Sequence, residues 1–146
     1  MAGAKHYSEL IAWQLADQLR VQTLRLTARP RFVKDLKLNS QTEDAVNSVC
    51  RNIAEGFGCE SHVEFARFLK ISRRSVNEVQ DAFRGAQLKG YVDGADLKPI
   101  AAILRRLYPA LSKLIAYLEN TPDYGRRGTR RTSRTPRTPR TPRTHK

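Results

Sequence analysis

The chain has 146 residues, 27 of them lysine or arginine and 14 aspartate or glutamate, for a formal charge of +13. That length suits one small hydrophobic core. With no apolar run near the ~20 residues of a membrane span and only two cysteines, Cys50 and Cys59, the composition excludes a membrane helix and a disulfide scaffold, and a soluble protein of the reducing cytosol is expected.

Residues 1–7 read as a short extension without the apolar stretch of a secretory signal. From 8 to 120 the apolar period is helical and no strand pattern appears. In the first predicted helix Ile11, Leu15, Leu19 and Leu26 share a face flanked by Ala12 and Ala16, with Ser8 as N-cap and Pro30 as the stop. The second opens on Ser40-Gln41-Thr42-Glu43, a capping-box pattern, and carries the stripe Val46, Val49, Cys50, Ile53 and Phe57. A further box, Ser61-His62-Val63-Glu64, opens the third. Its Phe65, Leu69, Ser72, Val76, Val79, Phe83 and Ala86 alternate steps of four and three, and Gly90 is placed as a left-handed stop. Asp96 is expected to cap the fourth, with Pro99 in its first turn and the stripe Ile100, Leu104, Leu107, Leu111, Leu114 and Leu118. Pro109 predicts a bend near Arg105–Pro109 without breaking the stripe into two helices.

Four amphipathic helices in four-three spacing predict an all-α fold, an antiparallel up-down-up-down four-helix bundle. Ile103, Tyr108 and Ile115 lie beside the fourth stripe and Trp13 lies off the first. This wide apolar surface predicts a homo-oligomer.

Residues 121–146 have a different composition, predicting a disordered Arg-Thr-Pro-rich tail. Arg126, Arg127, Arg130, Arg131, Arg134, Arg137, Arg140, Arg143 and Lys146 occur there with no acid after Asp123, so the first 125 residues carry only 18 bases against 14 acids. Apart from its prolines this segment has almost nothing to bury. It reads as a cationic arm for a polyanion, nucleic acid first, or as a solubilising extension. On the body, Arg67, Lys70 and Arg74 point away from the third stripe, with Arg73 and Arg84 at its edge. Glu78 and Asp81 interrupt that band, leaving a phosphate track and a plain solvated face both open. Arg29, Arg31, Lys34 and Lys37 add charge in the first connection.

The run Ser48-Val49-Cys50-Arg51-Asn52-Ile53-Ala54-Glu55-Gly56-Phe57-Gly58, followed by Glu64-Phe65-Ala66-Arg67-Phe68-Leu69, resembles the helical proteins named after the intervening sequences of bacterial 23S rRNA genes. Trp13-Gln14-Leu15-Ala16 and Gly90-Tyr91 fit the same pattern. The resemblance implies a small cytoplasmic four-helix bundle that assembles as a ring of identical subunits, a pentamer among the options. It also implies kinship with the accessory protein of diversity-generating retroelements, which joins a reverse transcriptase and contacts nucleic acid through a basic surface. Cys50 stands where the family commonly has proline, Pro109 is unusual, and the Arg-Thr-Pro tail lies outside the family core. The resemblance supplies no catalytic residue.

Read from the residues alone, Asn52, Glu55, Gly56 and Gly58 form a helix-end clasp, with a binding role for Asn52 and Glu55 as the alternative. Cys59 and His62 could share a face, but a zinc site needs two more ligands. There is no phosphate-binding loop and no nucleophile with its base. The expectation is a non-enzymatic protein without metal or cofactor that binds RNA or DNA through its backbone charge, or else a scaffold for a partner such as a reverse transcriptase.

Overall fold

The structure of the protein, a computed structural model, describes residues 3–123. Among them are five α-helices and no strand: α1 (Ile11–Thr27), α2 (Pro30–Lys34), α3 (Leu36–Phe57), α4 (His62–Leu88) and α5 (Gly94–Asn120), preceded by a 3-10 turn at Tyr7–Glu9. The four long helices are those the periodicity predicts. The expected disordered tail and its arginines, from Arg126 to Arg143, lie outside the described residues.

Helix starts differ from expectation in three places. Ser8 falls in the 3-10 turn, and α1 begins after Leu10, which makes no side-chain cap. The second long helix starts at Leu36, ahead of the Ser40 box, because the Asp35 carboxylate already accepts from the Leu38 N–H at 3.2 Å. Thr42 then lies inside α3, its hydroxyl donating to the Leu38 carbonyl. At α5 the cap is Asp93, and Asp96 is the reciprocal partner of a capping box, so Pro99 falls beyond the first turn. Ser61 caps α4 as expected.

Gly90 takes φ of +75°. The Gly90 N–H donates to Gln87 O and the Tyr91 N–H to Ala86 O, closing α4 with a Schellman motif. α5 passes through Pro109 as one helix. The carbonyls of Ala95 and Arg105, deprived of donors by Pro99 and Pro109, belong to exposed residues where water can replace the lost bond.

The most extensive contact is α3 against α4; α1–α3, α4–α5 and α1–α5 contacts close the circuit, so each long helix has two neighbours. Leu19, Val49, Ile53, Leu69, Val76, Leu107 and Leu111 are completely buried in one shared core. At about 1.5–3 kcal/mol per buried aliphatic side chain, packing dominates over helix propensity. Two stripe assignments change. Ile11 is 65% exposed, and Ala12, Leu15, Ala16 and Leu19 form the buried face of α1. In α5 Ile115 is buried while Leu114 is half-buried. Ile115 therefore belongs to the core, and Trp13 and Ile103 pack partly against it.

One carboxylate ties the α1–α3 connection to the α4–α5 turn. Asp35 caps α3, pairs with Lys89 Nζ at 2.7 Å and accepts from the Tyr91 hydroxyl at 2.9 Å. Phe32, the buried anchor of α2, lies 5.5 Å from the Tyr91 ring, and Arg31 covers that ring from 5.5 Å. Nearby, Arg29 grips Asp96 through two 2.6 Å bonds. The ammonium of Lys89, then the Leu38 N–H and the Tyr91 hydroxyl, lower the Asp35 carboxyl from 3.8 to about 2. Arg29 does the same for Asp96. A depressed folded-state pKa contributes stability above the unfolded value, which is lost as pH falls. The thermal midpoint is therefore expected to drop as pH falls from near 3.8 toward 2. Asp35→Asn is expected to lower the midpoint at neutral pH and flatten this acid dependence, measured by circular dichroism melts across pH.

Candidate nucleic-acid interface

The orientation of α4 is set where α3 ends. A Cβ on Gly56 would lie 2.8 Å from Phe65 Cδ2 and 2.9 Å from Phe68 Cβ, so only glycine permits this approach of the two helices. Phe57 meets the Phe65 ring edge-on at 6.2 Å. Further up the contact, Ser72 donates to Val49 O at 2.8 Å, and the Ser48 and Ser75 hydroxyls bond at 2.8 Å. Asn52 is buried and donates to Ser48 O at 2.8 Å and Ser48 Oγ at 3.0 Å. Asn52 and Gly56 are thus parts of a helix clasp. Glu55 is exposed, and Gly58, at φ of −75°, does not use the left-handed freedom of glycine.

With its apolar stripe turned inward, α4 presents Arg67, Lys70 and Arg74 to solvent. They border a recess of about 640 Å³ together with Ile71, Arg73, Asn77 and Tyr108 of α5. None of these seven residues is acidic. Glu119 pairs with Lys70, whereas among the described residues Arg67 and Arg74 have no carboxylate partner within salt-bridge distance. Arg73 crosses to α5, donating to the Ser112 hydroxyl at 3.1 Å with its guanidinium 6.0 Å from the Tyr108 ring centre. Arg67 lies over Phe68 at 4.9 Å. Glu78 and Asp81 line a different recess, against Gln41, Asp44 and Arg51 of α3.

The other predicted cations divide differently. Arg29 and Arg31 serve as structural links, Arg31 reaching the carbonyls of Gly90 and Lys89. Lys34 and Lys37 are exposed. The sequence pattern puts Arg73 at the edge of the band and Tyr108 on a surface expected to meet another subunit. Only the tertiary pairing of α4 with α5 brings the two together.

The recess runs from the second turn of α4 to the middle of α4 and α5, and its Arg67 edge is the one nearer to where the described chain finishes. His62, at the start of α4, bonds Thr121 O through Nδ1 at 2.7 Å, and its backbone N–H donates to Asp123 Oδ1 at 2.9 Å. Little more than one helical turn separates His62 from Arg67. No group of three or more histidine, cysteine or acidic side chains among the described residues could hold a metal ion. Burial pushes the Cys50 thiol up to about 11, leaving it protonated and unreactive at neutral pH. No described helix is long and apolar enough to cross a membrane.

Residues 8–113 match the family model of the 23S rRNA-intervening sequence protein. The chain belongs to this family. Comparison with curated proteins gave no match. Every residue lining the recess falls inside the span matched to the 23S rRNA-intervening sequence family, and so does the Asn52–Gly58 clasp. Glu119, Thr121 and Asp123 lie beyond it. Cys50, which the resemblance sets against a common proline, sits within an α3 that is continuous from Leu36 to Phe57.

Gly56→Ala is expected to destabilise the protein by about 1–3 kcal/mol through overpacking. The sign is opposite to the gain of about 1 kcal/mol that alanine has over glycine in an unobstructed helix. Gly58→Ala, whose Cβ would come no closer than 3.4 Å to Glu55 O, is expected to be near neutral. Urea denaturation of the two variants beside wild type measures the contrast.

Proposed function

We propose that this family member is a non-enzymatic, cytoplasmic accessory protein that binds RNA or DNA through charge, its long helices forming an antiparallel four-helix bundle that self-associates. The bundle reading is supported by links that join the end of one helix to the start of another: Arg29 to Asp96, Gly56 against Phe65, and His62 with Thr121. The observation carrying the binding reading is the recess bordered by Arg67, Lys70, Arg73 and Arg74, of which Lys70 alone has a carboxylate partner among the described residues. Cations presented together replace the counterions of a phosphate backbone without reading sequence. The eight arginines after residue 125 extend the same chemistry.

Self-association is favoured by a groove of about 870 Å³ between the start of α1 and the middle of α5, where Ile11, Leu15, Ala110 and Leu114 are rimmed by Arg105, Arg106 and Lys113. A groove of this kind also suits the second reading, a scaffold that docks a protein partner such as a reverse transcriptase.

Binding of a structured RNA and a random-sequence DNA is expected to weaken steeply with salt. Arg67→Gln and Arg74→Gln are each expected to reduce the log–log salt slope by about 1. Deleting residues 126–146 is expected to lower affinity without abolishing it. Fluorescence anisotropy across a salt series measures this, and absence of binding at low salt by both the full chain and the shortened one would overturn the reading. Sedimentation of the full chain is expected to show an assembly of several subunits that Ile11→Glu dissociates. A wild type that sediments as a monomer at micromolar concentration would overturn self-association.

A further inference from the structure

We infer that Tyr108 and Arg73 form a stacking platform for an unpaired base, which makes single-stranded nucleic acid the ligand class of the recess. The inference rests on the charge-based reading above and narrows it. Charge alone does not explain the composition of the site, because phosphate attraction needs no aromatic ring. Yet Tyr108 stands among the cations with 42% of its surface exposed, even though Arg73 lies over its ring.

The arrangement is also held in place. The bond from Arg73 to the Ser112 hydroxyl fixes the guanidinium beside the phenol, and Ser112 lies one turn along α5 from Tyr108. A cation set against the ring in this way costs little further ordering when a ligand arrives. Arg67 and Arg74, exposed on α4 and without carboxylate partners among the described residues, border the same recess and are suited to the phosphates on either side of a base. A recess of about 640 Å³ lies within the roughly 300–1,000 Å³ range of small-ligand sites.

Stacking on an aromatic side chain requires a base with a free face. Bases within a duplex are already stacked on their neighbours, whereas those in loops, ends and single strands can be splayed onto a phenol or a guanidinium plane. The cations should therefore serve both kinds of nucleic acid, and Tyr108 only the unpaired one.

The test uses the full chain and compares an unstructured oligonucleotide with a duplex of equal length, as RNA and as DNA, at one low salt concentration. Arm charges attract both forms, so the ratio of the two affinities isolates the contribution of the ring. Tyr108→Ala is expected to weaken single-strand binding roughly 5- to 150-fold, the equivalent of about 1–3 kcal/mol of stacking per base, and to leave duplex binding unchanged. Tyr108→Phe, which keeps the ring, is expected to retain wild-type affinity for both, and Arg74→Gln to weaken both. Equal single-strand affinity in Tyr108→Ala and wild type, or equal losses for single strand and duplex, would overturn the stacking inference while leaving the charge-based reading intact. Wild type that binds neither form would overturn the charge-based reading itself.

Discussion

The narrow approach of α3 and α4 at Gly56 is the constraint on which the rest of the molecule depends. Without a side chain there, Phe65 and Phe68 come against the α3 backbone, and small polar residues above, Ser48, Ser72 and Ser75, let the contact continue. Hydrogen bonds between these groups each contribute about 1 kcal/mol, and together they favour the rotational setting of α4 that makes them. That setting buries Leu69, Val76 and Phe83 and turns Arg67, Lys70 and Arg74 outward. The Asn52–Gly56 stretch therefore acts here through helix packing. It determines which face of the next helix is available.

Net charge is a poor guide to which cations are available. Arg20, Arg29 and Lys89 are paired with Asp17, Asp96 and Asp35. Arg31 answers backbone carbonyls and an aromatic ring. The Arg20–Asp17 pair lies within α1, whereas the contacts of Arg29, Arg31 and Lys89 hold the α1–α3 connection against the α4–α5 turn, at the end of the molecule away from the recess. Isolated exposed ion pairs contribute little to stability. Asp35 differs because a single carboxylate simultaneously caps a helix, pairs with Lys89 and accepts from Tyr91. The body thus uses basic residues for different purposes, those at the α4–α5 turn to close the structure and those along the α4–α5 face to meet solvent.

The features legible in the sequence were those with a period or a local signature. The four-three stripe of α4 is buried at every expected position from Phe65 to Ala86, and Ser61 and Gly90 behave as their residue types suggest. The start of α3 was misplaced because Ser40-Gln41-Thr42-Glu43 satisfies the same local rule as Asp35. The Asp35 bonds to Lys89 and Tyr91 span more than fifty residues and leave no trace in a short window. Helix α2 has no periodic signature, because its five residues offer one buried anchor, Phe32, and one anchor has no period. At the candidate site, Arg67, Lys70 and Arg74 were visible as an outward face. Arg73 and Tyr108 were not recognisable as a pair, since their meeting depends on how α5 lies across α4.

His62 fastens Thr121 and Asp123 beside the first turn of α4, and that anchorage has a geometric consequence. Whatever path residues 124–146 follow, they depart from the corner of the molecule that displays Arg67. Under the proposed charge-based binding, a polyanion seated at this corner would find eight further guanidinium groups attached to the same chain, so its second engagement would be an intramolecular event. Starting that segment at the opposite end of the helices would leave the composition and pI untouched while moving the two sources of positive charge apart. The mooring point, more than the number of arginines, governs whether these two sources of positive charge start out side by side or apart.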